Sequence, residues 1–152
     1  MFLAIQIAEY LVRKGLKENK PLTMLQVIKL AFISEGYMLA LSNGNSLFED
    51  PIEAWKYGPV IPSIYEAYKK YGSRSIRQEK DLDISNIEGN SYLTKFLDHM
   101  FEKYSKFTGS ELIALTHKEG TPWKQVYKPN IPHIEIERER IQSYYEDLLN
   151  CG

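Results

Sequence analysis

The sequence predicts a mainly α-helical single domain with a small β element, and three observations lead there. Apolar residues recur at helical spacing along most of the chain. One stretch, 47–62, instead concentrates helix breakers and alternates in character. Finally, 152 residues without an internal repeat, low-complexity tract or linker make one domain, 1–152. The pattern predicts about six to seven helices and a two- or three-stranded sheet or hairpin around residues 52–56 and 76–84.

Taken in order, Leu3, Ile7 and Leu11 recur every four residues, so 2–14 reads as an amphipathic helix closed by Gly15 and the polar LKENKP turn. Thr23 can cap the next helix, with Gln26 reaching back in a Thr-x-x-Gln box. Leu25, Ile28, Phe32 and Leu39 carry that helix to about 41, where Ser42-Asn43-Gly44-Asn45 ends it. Pro51, Gly58, Pro59 and Pro62 then exclude helix, while Ile52, Ala54 and Lys56 alternate with Glu53, Trp55 and Tyr57 as in a short strand.

A helix follows, opened by Ser63-x-x-Glu66 or by Pro62 as its first residue, and Gly72 stops it after Tyr71. Residues 73–90 are polar; Ile76, Leu82, Ile84 and Ile87 are spaced as anchors of a loop or edge strand. Leu93, Phe96, Leu97, Met100, Phe101 and Tyr104 mark a helix over 91–105. Thr108-x-x-Glu111 opens another that runs to His117, and Thr121-Pro122-Trp123 opens a short one through Tyr127. Ile141, Tyr144, Tyr145 and Leu148 lie along a last helix over 136–149.

Composition excludes several functional classes. With 43% hydrophobic and 26% charged residues the chain is globular, not disordered. Its 19 basic and 20 acidic residues leave no surplus for a phosphate backbone, so nucleic acid is disfavoured as a partner, a local basic patch aside. The lone Cys151 can form neither an internal disulfide nor a thiolate cluster, as suits a reducing compartment. The opening MFLAIQIAEYLVRKG lacks a basic leader and is interrupted by Gln6 and Glu9, which argues against a signal peptide. No stretch approaches the roughly 18 uninterrupted apolar residues of a membrane span. The expected location is the cytoplasm, with no membrane partner.

Chemistry is sparse. His99, His117 and His133 show no metal-ligand spacing, so no metal is expected. No glycine-rich phosphate loop or nucleophile elbow is present, so neither a cofactor nor a catalytic set is expected. His117, closing a helix before Gly120 and Trp123, reads either as a base or recognition residue or as a ring tying a turn together. Trp55 reads as a core plug whose N–H finds a carbonyl, or as an interface anchor. Many of the 11 tyrosines sit on charged helices, which suits a protein-binding surface; at helical spacing such rings also simply flank a core.

Three blocks occur in order: Ile28-Lys29-Leu30-Ala31-Phe32 through Gly36 and Leu39-Ala40; Leu47 through Trp55-Lys56-Tyr57-Gly58-Pro59-Val60-Ile61-Pro62, with Ile64-Tyr65 and Gly72; and Leu112 through Thr116-His117, then Glu119, Pro122 and Trp123. Together they resemble the Panacea domain, the family of SocA-like antitoxins and phage-associated proteins. Glu35 stands where glutamine is expected, and Gly120-Thr121 adds a residue before Pro122.

The resemblance implies a helical fold with a small β element. It also implies an antitoxin that binds a cognate toxin protein directly, or delivers it to a Clp-type protease, without being an enzyme. Lys29, Gly36, Trp55, Gly58, Pro59, Val60, Thr116, His117, Pro122 and Trp123 then become scaffold. A partner surface is expected at Tyr57, Pro59, Ile61, Tyr65 and Tyr68. Two other readings stay open: an enzyme using His117 and Glu119 with Trp123 as a platform, and a DNA-binding autoregulator.

Overall fold

The chain is built around one buried helix. In a computed structural model describing residues 1–151, α2 (Met24–Leu41) is flanked by α1 (Ala4–Lys17), α3 (Pro62–Tyr68), α5 (Ser91–Tyr104), α6 (Gly109–His117) and α8 (Arg138–Asn150). The short helices α4 (Ser85–Glu88) and α7 (Pro122–Val126) complete eight among the described residues. By length and composition α2 could cross a membrane, yet 67% of it is buried inside the bundle. Its apolarity is that of a core helix, hydrophobic all round because neighbours surround it.

The caps follow the sequence. Thr23 Oγ1 accepts the Gln26 N–H at 3.2 Å, and Gln26 Oε1 accepts the Thr23 N–H at 2.9 Å, closing the expected box on α2. Thr108 and Glu111 do the same for α6. At α3 the structure selects Pro62 as first helical residue, while the Ser63 hydroxyl donates to Asp50 Oδ2 at 2.7 Å. A 3-10 turn, Lys69–Tyr71, carries the chain on to Gly72.

The sheet has three antiparallel strands in the order β2-β1-β3, with β1 at Glu53–Trp55, β2 at Gly58–Val60 and β3 at Ile134–Glu135. Trp55 pairs with Gly58 around a tight turn at Lys56-Tyr57, and Ala54 pairs with both Pro59 and Ile134. The expected partner at 76–84 is corrected here: that segment joins no strand. Its backbone is satisfied otherwise, the Ile76 N–H by Leu22 O at 2.8 Å, and Lys80 O and Leu82 O by the Arg13 guanidinium at 2.9 and 2.8 Å. A strap pinned by side chains has no free ladder to offer a strand. The single turn α4 that follows is too short to show a period.

Two buried carboxylates staple the bundle. Glu9 receives Arg13 Nε at 2.9 Å, the Tyr68 hydroxyl at 2.6 Å and the Lys80 N–H at 2.9 Å. Glu35 receives Arg138 Nε and the Leu47 N–H, each at 2.7 Å, and Arg138 also donates to Phe48 O and Asp50 O at 2.8 Å. The first holds the 77–82 strap and α3 to α1; the second holds α8 and the 47–50 turn to α2. Such saturated partners are what make a buried charge tolerable. Gly36 lets α8 approach further, because a Cβ there would clash with the edge of the Tyr145 ring.

Candidate functional site

The three sequence blocks meet at one place, under the β1–β2 hairpin. Gly58 adopts φ 108°, a conformation that side chains rarely accept, and a Cβ there would stand 3.0 Å from Lys29 Nζ and 3.2 Å from Thr116 Oγ1. Pro59 lies in an edge strand, the place a residue without an N–H is tolerated. Its carbonyl, turned away from β1, takes the Lys29 ammonium at 2.8 Å. Thr116 returns its own hydroxyl to Leu112 O at 3.0 Å, and so presents its oxygen beside Gly58 without opening a gap.

Lys29 is fully buried, and burial pushes its pKa down to about 7. Among the described residues no carboxylate lowers this cost, and a single carbonyl is its hydrogen-bond partner. Next to it, His117 is held below its ordinary value, first by burial and then by the Lys29 charge, with the Tyr57 backbone acting in the opposite sense. The His117 ring stacks on Trp123 with centroids 3.7 Å apart, and Trp123 stacks in turn on Tyr127 at 4.7 Å. The Trp123 indole N–H donates to Trp55 O at 2.6 Å, tying α7 to the end of β1.

This geometry sorts the expected residues. Lys29, Gly58, Pro59, Thr116, His117 and Trp123 form one brace, and Val60 and Pro122 are buried beside it. Gly36 acts elsewhere, at α8. Trp55 is only half-buried; its N–H donates to Glu53 Oε1 at 2.8 Å, and its ring meets Tyr65 edge-on at 5.1 Å. The core plug whose N–H finds a carbonyl is Trp123.

Of the five residues expected on a partner surface, three are buried. Tyr68 is buried with its hydroxyl on Glu9, and Ile61 and Pro59 are also buried, because α3 packs this edge against α1 and α2. Tyr57, 60% exposed at the hairpin tip, and the half-buried Tyr65 remain.

A groove of about 450 Å³ runs beside that tip, walled by Trp55, Lys56, Tyr127, Asn130, Ile131, Pro132 and His133. The 127–133 arm was invisible as a site in the sequence, where it read only as a proline-interrupted connection. Asn130 and His133 both have positive φ, which turns the arm back toward the sheet. Tyr127 links groove and brace through its stack on Trp123. Lys56 makes no ion pair among the described residues; its ammonium rests over the Tyr57 ring at 5.4 Å.

Among the described residues no carboxylate is hydrogen-bonded to the His117 ring. The Glu119 side chain is 89% exposed and faces Lys124 at 3.8 Å. The added residue before Pro122 has a structural use: Gly120 takes φ 86°, and Thr121 caps α7 while donating to Lys118 O at 2.8 Å. Among the described residues, no three His, Cys, Asp or Glu side chains lie close enough to hold a metal ion.

Comparison with known proteins points to the same segment of the chain. The chain is 26% identical over 125 residues to "Antitoxin SocA" of Caulobacter vibrioides (strain NA1000 / CB15N), covering 77% of this chain and 66% of that protein. It thus spans slightly under two thirds of that relative's length. No solved structure matches it. The family profile described as Antitoxin SocA-like, Panacea domain, matches residues 27–124, the segment that holds every residue of the brace, and the chain belongs to that family.

Proposed function

We propose that this protein is the antitoxin of a toxin–antitoxin pair, acting in the cytoplasm by direct binding of its cognate toxin through the hairpin tip and the adjoining groove. The observation that carries the reading is the division of labour within the family segment. Its buried side chains lock the hairpin from below, while Tyr57 and Lys56 are left exposed on top. A tight turn held in one conformation loses little entropy on binding, and an exposed tyrosine beside a half-buried tryptophan gives rigid contact area. The "Antitoxin SocA" relative supports the same role.

The test is co-expression with the toxin-like product of an adjoining reading frame. Wild-type protein is expected to restore growth and to copurify with that product. A Tyr57→Asp, Lys56→Glu protein is expected to fold with unchanged Tm and lose both effects. Failure of the wild-type protein to rescue growth overturns the antitoxin role; full rescue by the double variant overturns the assigned surface. Repeating the rescue in cells lacking the Clp-type protease separates two modes: protection that persists means sequestration, and protection that vanishes means delivery for degradation.

A further inference from the structure

A second cavity, which shares no lining residue with that groove, has chemistry that the antitoxin reading does not use. It measures about 220 Å³ and lies among α2, α5, α6 and α8, with Phe32, Tyr37, Tyr104, Tyr144 and Tyr145 on its walls and Lys118 among its lining residues. We propose that it binds a single planar aromatic ring bearing a carboxylate.

Size limits the occupant first, since pockets for drug-sized ligands run to about 300–1,000 Å³ and this one holds roughly one ring. Its walls then favour an aromatic. Tyr145 meets Phe32, Tyr37 and Tyr144 edge-to-face, with centroids 6.2, 4.8 and 5.1 Å apart, so ring faces and ring edges are both presented to the space between them. Gly36 is what allows Tyr145 to lie against α2 and form the floor.

The polar groups set the charge. No carboxylate lines the cavity. Lys118 is exposed and makes no ion pair among the described residues, whereas its neighbour Glu119 is directed at Lys124. A further cation, Lys103, lies over the Tyr37 and Tyr104 rings at 5.7 and 5.4 Å. On α8 the Glu146 carboxylate is taken up by Gln142 at 3.0 Å. Tyr104 donates to the Tyr37 hydroxyl at 3.3 Å, while the Tyr144 hydroxyl has no hydrogen-bond partner among the described residues. An aromatic box with a cationic rim matches an aromatic carboxylate, whether a free metabolite or the C-terminal aromatic residue of a protein.

The experiment uses the purified full chain without toxin, so its outcome is independent of the antitoxin role. Benzoate and 4-hydroxybenzoate stand for the free metabolite, N-acetylphenylalanine for a chain terminus, and benzamide, 4-hydroxybenzamide and N-acetylphenylalaninamide for their uncharged counterparts. Calorimetric titration and Tm shift are expected to show saturable binding of at least one carboxylate, with its amide at least ten-fold weaker. Lys118→Glu, at an exposed position that leaves the fold intact, is expected to weaken carboxylate binding at least ten-fold. Preference for benzoates or for N-acetylphenylalanine identifies the source. Absence of saturable binding by all three carboxylates, equal binding of the amides, or indifference to Lys118→Glu would overturn the proposal.

Discussion

Replacing Lys29 with methionine removes the buried charge while keeping an unbranched side chain of similar length. In the folded protein the ammonium has one partner, Pro59 O at 2.8 Å, and burial moves its pKa from 10.5 to about 7. Between those two values the unfolded chain binds more protons than the folded one, so stability rises with pH across that window and is lost as pH falls through about 7. At about 1.4 kcal/mol per tenfold, the drop from 10.5 to about 7 corresponds to a burial cost of about 5 kcal/mol. Methionine removes that cost but orphans the Pro59 carbonyl, at about 1–3 kcal/mol.

Lys29→Met is therefore expected to match or exceed wild type by about 2 kcal/mol at pH 7, whereas at pH 9.5, where wild type still carries about 1.4 kcal/mol of the burial cost, it is expected to lie level with wild type or up to about 1.5 kcal/mol below it. Urea unfolding at half-unit steps between pH 7 and 9.5 measures this. That range avoids His117, which titrates below its ordinary 6.5, and Tyr68 and Tyr104, which burial and hydrogen bonding raise well above 10. A wild-type stability that is flat over the window, or a slope that survives the substitution, would refute the reasoning.

Other substitutions test the packing around that brace and along α8. Gly36→Ala gains about 1 kcal/mol of helix propensity but drives a methyl into the Tyr145 ring, so a net loss of about 1–3 kcal/mol is expected, read as a lower urea midpoint and relieved by Tyr145→Leu. Glu35→Gln should cost about 2 kcal/mol, and its double-mutant cycle with Arg138→Met should show about 1–3 kcal/mol of coupling through the 2.7 Å contact; additive effects would mean the pair is idle. Trp123→Phe deletes the indole donor to Trp55 O and should cost about 2–4 kcal/mol of stability, whereas Trp55→Ala, at a half-buried ring, should cost less; equal losses would contradict the assignment of Trp123 as the plug.

The candidate site was legible in its parts but not in its assembly. Gly58-Pro59 and His117 could be singled out from the residues themselves, as helix breakers and as a ring closing a helix before Gly120, whereas Lys29 and Thr116 stood out only through the family resemblance. Their convergence could not be singled out, since positions 29, 58 and 116 are joined only by how α2, β2 and α6 pack. Tyrosine misled for the same reason: Tyr57 and Tyr68 are chemically alike, yet one projects from a turn and the other finds Glu9, 59 positions away. The departure at Glu35 also acquires a meaning from its fold partner, since Arg138 lies 103 positions further on and outside the family segment.

The sequence by itself determined most helices, their caps, the strand at 52–56 and the family, because periodicity, capping boxes, Gly and Pro act over a few neighbouring residues and are written locally. Tertiary structure alone decided that 58–60 and 134–135, and not 76–84, pair with the strand at 53–55, and that Trp123 is the buried indole. It also decided that the 127–133 arm walls a groove and that tyrosines from α2, α5 and α8 enclose a cavity. Each of these depends on which distant group satisfies a buried donor or fills a gap. That choice is made by the whole packed chain at once, so no short window of sequence contains it.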